Sequence, residues 1–106
     1  MPRKQARTSV SLSILLEWSS GKREARISDI SLGGCFIDCL TPISKGETIS
    51  FKIKISDKEW ISLRGEIVFV TVGVGFGVRF ISLSEDGKTM LEHLILMNNG
   101  NPWESD

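Results

Sequence analysis

The 106-residue chain has one histidine and two cysteines, no CxxC pair, no apolar run of membrane-spanning length and no net charge. One imidazole and two thiols are too few for a zinc site. A span needs roughly 18 to 20 apolar residues, and no stretch approaches that. The N-terminus is polar and basic, with no apolar segment ahead of a cleavage site, so a cytoplasmic protein is expected. Zero net charge argues against a dedicated nucleic-acid binder. Repeats and low-complexity segments are absent, and the length suits one domain with a modest core.

The zero net charge conceals an asymmetry. Residues 1–26 carry Arg3, Lys4, Arg7, Lys22, Arg23 and Arg26 against Glu17 and Glu24, and the rest of the chain is acidic in compensation. An anion is therefore expected at the basic end.

Hydrophobic periodicity reads as strands. Val10, Leu12, Ile14, Leu16 and Trp18 alternate with Ser11, Ser13, Leu15 and Glu17, a period of two with one face buried. Ser19 to Lys22 reads as a turn, and Arg23, Ala25 and Ile27 continue a second strand into Asp29. Residues 35–39 form a short third strand. Ile49, Phe51, Ile53 and Ile55 form the clearest alternation in the chain. Trp60 to about Val72 and Phe76 to Ile81 complete six strands, and such a series favours a barrel or sandwich.

Ser84 before Glu85 and Asp86 marks a helix start. Met90, Leu91, Leu94, Ile95 and Met97 form its apolar stripe, and Asn98 to Gly100 a stop. Cys35 and Cys39, roughly 13 Å apart if both lie in one strand, are too distant to bridge and are expected to share the face of Ile37 as core thiols. Most of the eight aromatics occupy apolar-alternating positions, which points to the core.

Two strings carry chemistry. Arg3-Lys4-Gln5-Ala6-Arg7 supplies arginines four positions apart, and Asp29-Ile30-Ser31-Leu32-Gly33-Gly34 supplies a carboxylate, a hydroxyl and a glycine corner. A guanidinium can grip a phosphate or the acceptor edge of guanine with two hydrogen bonds, and can also stack on a base. An ionised Asp29 accepts only, so it suits guanine's donor edge or the positioning of an arginine. Ser31, two residues on, would share its face if the strand continued. Gly34, with Gly33, suits a close backbone approach or a positive φ.

In order and spacing the strings resemble the RxxxR and (D/N)xSxxG motifs of PilZ domains, bacterial receptors for cyclic di-GMP. Gly65-Glu66-Ile67-Val68-Phe69 and Gly75-Phe76-Gly77-Val78-Arg79-Phe80 resemble that family's later strands. The resemblance covers Arg3 to about Met97. It implies a six-stranded antiparallel β-barrel with a C-terminal α-helix and a flexible N-terminal arm: residues 1–8 as the ligand-gripping arm, 9–98 as barrel and helix, and 99–106 as a tail. It also implies cyclic di-GMP as the ligand, bound by Arg3, Lys4, Arg7, Asp29, Ser31, Gly33, Gly34 and Phe69, with an arm that folds over the barrel as the signal. A downstream effector protein is expected as partner, and neither membrane insertion nor nucleic acid. Two departures stand out. Phe69 occupies a position where the family often has Trp, and Arg3 follows Met1-Pro2 directly.

Three other readings compete. An enzyme is disfavoured, because His93 has no identifiable nucleophile partner and the series Gly73, Gly75, Gly77 lacks a Walker lysine. A PilZ-like interaction adaptor that does not bind cyclic di-GMP would be expected to have lost some of the motif residues. A single-stranded nucleic-acid barrel would show a broad positive groove with aromatic platforms.

Overall fold

A computed structural model describes residues 7–18, 21–98 and 100 of the chain. Six strands run in order: β1 Thr8–Trp18, β2 Gly21–Ile30, β3 Gly34–Asp38, β4 Thr48–Lys54, β5 Trp60–Thr71 and β6 Gly75–Ile81. Helix α1, Glu85–Met97, follows them. All pairings are antiparallel, and the strands close in the spatial order β1-β2-β3-β6-β5-β4, with β4 returning to β1. Closure leaves no open sheet edge, the main liability of a small β-domain.

Alternation places the core inside this barrel. Ile14 and Leu16 of β1, Ile49, Phe51 and Ile53 of β4, and Ile61, Leu63 and Ile67 of β5 are all buried. Helix α1 packs Leu91, Leu94 and Ile95 into the same core. Its start is fixed by the Ser84 hydroxyl, which accepts the Gly87 N–H at 3.0 Å; an N-cap of this kind stabilises by about 1 kcal/mol.

Four expectations need correction. Met90 and Met97 sit on the outer edge of the helical stripe and are exposed, because only about half of a surface helix can face one barrel. Among the six aromatics whose side chains are described, Phe51, Phe76 and Phe80 are core, Phe36 is half-buried, and Trp60 and Phe69 are exposed. Cys39 lies just past β3 and is half-buried, whereas Cys35 is fully buried. Ser31 does not share a strand face with Asp29, since β2 ends at Ile30.

Candidate functional site

Asp29 reaches the surface because β2 breaks its own period. Strict alternation from Ile27 would turn Asp29 into the core. Instead the β2–β3 register slips, with Ile27 opposite Ile37 and then Asp29 opposite Phe36. The extra residue is a β-bulge, and it lets Ile27 and Ile30 both be fully buried while Asp29 turns outward. A matching irregularity in β1, between Ser9 and Leu12, keeps Ser9 opposite Asp29.

A third bulge, in β5 between Ile67 and Phe69, turns Phe69 outward opposite Gly77. The three irregularities align one row of directly opposed residues across five strands: Ser9, Asp29, Phe36, Gly77 and Phe69. Directly opposed residues share a face. With no side chain at Gly77, the rings of Phe36 and Phe69 meet over it, centroids 5.9 Å apart. A Cβ at Gly77 would overlap the Phe69 ring.

Arg7 sits at the other end of the row. Its Nη1 donates to Asp29 Oδ1 at 2.5 Å, and both side chains keep substantial exposure, 48% and 34%. One half of each sequence motif is thereby brought together. Arg3 and Lys4 lie outside the described residues.

Ser31, Gly33 and Gly34 form the corner below Asp29. Ser31 is 5% exposed. Its hydroxyl donates to the Gly34 carbonyl at 3.4 Å and accepts the Gly33 N–H at 3.3 Å, and its own N–H donates to Gly34 O at 2.8 Å. The Phe80 N–H donates to Gly33 O at 2.9 Å, tying the corner to β6. Gly34 answers a close approach of strands, not a positive φ: a Cβ there would overlap the Val78 carbonyl oxygen.

Cys35 lies beneath the ion pair. Burial pushes its thiol above the usual range, the Asp29 charge pushes it further, and the Arg7 charge opposes. Chemically, the surface row offers a long-reaching cation and a carboxylate beside a two-ring apolar platform, a set that suits a ligand with both anionic groups and flat bases. The sequence does not single out Phe36. Its only signal there is a half-alternating position between Cys35 and Ile37.

The family model described as "PilZ domain" matches residues 2–97. Among solved structures, the chain is similar to the "PilZ domain with c-di-GMP of YcgR" from Escherichia coli, at 14% identity and a TM-score of 0.78, covering 93% of this chain and 92% of that one. It is also similar to the Bacillus subtilis inhibitor of motility MotI/DgrA, at 13% identity and a TM-score of 0.74; the match covers 93% of this chain and 51% of that protein, so the chain spans about half its length. The PilZ domain of CeSA from a cellulose-synthesizing bacterium matches at 17% identity and a TM-score of 0.66, covering 87% of this chain and 96% of that one. No curated protein matches the chain.

Proposed function

The chain belongs to the PilZ domain family, and from that premise we propose that it is a cyclic di-GMP receptor that acts by rearranging its N-terminal arm, a regulatory binding module and not an enzyme. The observation that carries this reading is the Arg7–Asp29 contact, which joins the arm to the barrel-surface motif across 22 positions. The similar Escherichia coli domain is a PilZ domain with c-di-GMP, which supports the choice of ligand.

In this reading the Arg7–Asp29 pair holds the empty state. A phosphodiester of the ligand replaces the carboxylate as the partner of Arg7, and Asp29 is freed to accept from a guanine's donor edge. One charged hydrogen bond is exchanged for another, so the arm shifts without leaving either charge unpaired. Arg3 and Lys4 add cationic contacts from the same arm. A guanine face lies over the Phe36–Phe69 platform, whose far ring sits over Gly77, two strand spacings or about 10 Å from Asp29, a span that a dinucleotide can cover. Ser31, Gly33 and Gly34 hold the corner that keeps Asp29 outward. Ordering the arm costs about 1 to 2 kcal/mol per residue, which the new contacts must exceed.

The output of such an arm is a changed surface, read by a downstream effector protein in the cytoplasm. Titration calorimetry with cyclic di-GMP, with GMP and cyclic AMP as controls, tests the reading and gives the stoichiometry. Saturable heat with the cyclic dinucleotide alone is the expected result. A flat titration with all three would replace the receptor by an interaction adaptor of the same fold.

A further inference from the structure

The outer face of β1, β4 and β5 carries a second chemically distinct strip, away from Asp29 and its corner. Leu15 lies opposite Lys52, and Lys52 opposite Ser62. Trp60 lies one step along, opposite Lys54, and Arg64 lies opposite Ser50. Leu15, Lys52, Trp60 and Ser62 line a shallow recess of about 330 Å³. Trp60 is 44% exposed. A tryptophan half in water beside an outward leucine is characteristic of an interface anchor, since Trp and Arg dominate hot spots.

Glu17 pairs with Lys22 and Lys54 with Asp57, but two cations of this strip, Lys52 and Arg64, have no carboxylate partner among the described residues. The occupant that matches is therefore acidic with an apolar ring. The chain itself encodes that complement in Trp103, Glu104 and Asp106, an aromatic residue with two carboxylates within three positions.

Chain length decides whose tail it is. The Gly100 N–H donates to Ile95 O at 2.9 Å, and Gly100 packs against Thr8, the first residue of β1, so closely that a Cβ would overlap Thr8 Oγ1. Leu15 is seven residues further along β1, roughly 23 Å away at about 3.3 Å per residue. Three residues from Gly100 to Trp103 reach about 11 Å at most. The Leu15 end of the recess is thus beyond the backbone reach of its own Trp103.

We propose that the Leu15–Trp60 recess, with Lys52 and Arg64, receives the segment Trp103–Asp106 of a second copy of this chain, so that two copies associate by exchanging tails. Buried aromatic contact supplies the affinity, and the Lys52 and Arg64 charges set register and salt dependence. The proposal does not depend on the nucleotide reading.

Sedimentation velocity of the full chain over a range of concentrations is the test. Concentration-dependent dimers are expected, weakened roughly tenfold or more by Trp103→Ala or by Trp60→Ala. Lys52→Glu is expected to weaken them, and adding Glu104→Lys to that variant to restore part of the loss. Mixing the Trp60→Ala chain, which keeps its tail, with the Trp103→Ala chain, which keeps its recess, is expected to give heterodimers where each alone is monomeric. Unchanged circular dichroism shows that each variant folds. A wild-type chain that stays monomeric at every concentration overturns the proposal, as do dimers indifferent to all four substitutions, which would place the contact elsewhere.

Discussion

Arg7 Nη1 donates to Asp29 Oδ1 at 2.5 Å, joining the segment before β1 to the bulge in β2. Both groups are too exposed for the pair to matter much to stability, since such pairs contribute about 0 to 1 kcal/mol. Its consequence is positional: the guanidinium is held at one end of the row that ends in Phe36 and Phe69.

Arg7→Ala is accordingly expected to separate affinity from stability. Losing one good charged hydrogen-bond pair lowers cyclic di-GMP affinity about 10- to 150-fold, while the melting temperature in the absence of ligand barely changes. Titration calorimetry and thermal denaturation on the same preparation check both halves. Unchanged affinity would remove Arg7 from the site.

The two glycines facing the β3–β6 seam should behave differently when given a methyl group. At Gly34 the obstacle is the Val78 backbone carbonyl, which is fixed by the β3–β6 ladder. At Gly77 the obstacle is the exposed Phe69 ring, which can swing aside. Gly34→Ala is expected to cost about 2 kcal/mol or more in denaturant unfolding. Gly77→Ala should cost clearly less while weakening ligand binding, because it breaks up the platform. Equal destabilisation by both would show that Phe69 is not free to move.

Ser31 gives a test of whether its hydroxyl holds the corner or touches the ligand. The hydroxyl is buried and bonded to Gly33 and Gly34 within the turn. Ser31→Ala should therefore lower unfolding free energy by about 1 kcal/mol, with any loss of affinity following from a loosened corner. Full stability combined with a large affinity loss would instead assign the hydroxyl directly to the ligand.

Much of this architecture can be read from local chemistry. The alternation of Ile49, Phe51 and Ile53 specifies β4 and its buried face, and Ser84 with its acidic neighbours specifies the start of α1, because each depends only on residues a few positions apart. The bulges cannot be read in the same way. An extra residue in β2 or β5 leaves no mark in composition, and its effect appears only when the partner strand is in place. That is why simple alternation from Ile27 would turn Asp29 into the core, whereas Ser31 leaves the face of Asp29 because β2 ends at Ile30. It is also why Phe36 carries so little signal, since its role comes from Gly77, 41 positions later in the chain and directly opposite in β6. The arginine motif is legible as a pattern, but only Arg7 falls within the described residues.

Cys35 and Cys39 provide a chemical measure of the core beneath the site. Cys35 is fully buried and Cys39 half-buried, and both are free thiols. Burial, with the Asp29 charge in support and the Arg7 charge in opposition, raises the Cys35 thiol above its ordinary value of 9.0. In the folded chain it keeps a proton that the unfolded chain releases once pH passes about 9. Below that pH both states hold the proton and stability is unaffected. Above it the unfolded state binds fewer protons, so unfolding becomes easier by up to about 1.4 kcal/mol per pH unit. A denaturant series from pH 8 to 10.5 should show this alkaline slope in the wild-type chain and a smaller one in Cys35→Val, whatever the offset between the two at pH 8. A thiol reagent at pH 8 should label Cys39 rapidly and Cys35 only through unfolding. Equal labelling of both thiols in the native state would mean that β2 and β3 part readily at Ile30 and Cys35, and a row that opens there could not hold Asp29 and Phe36 as one surface.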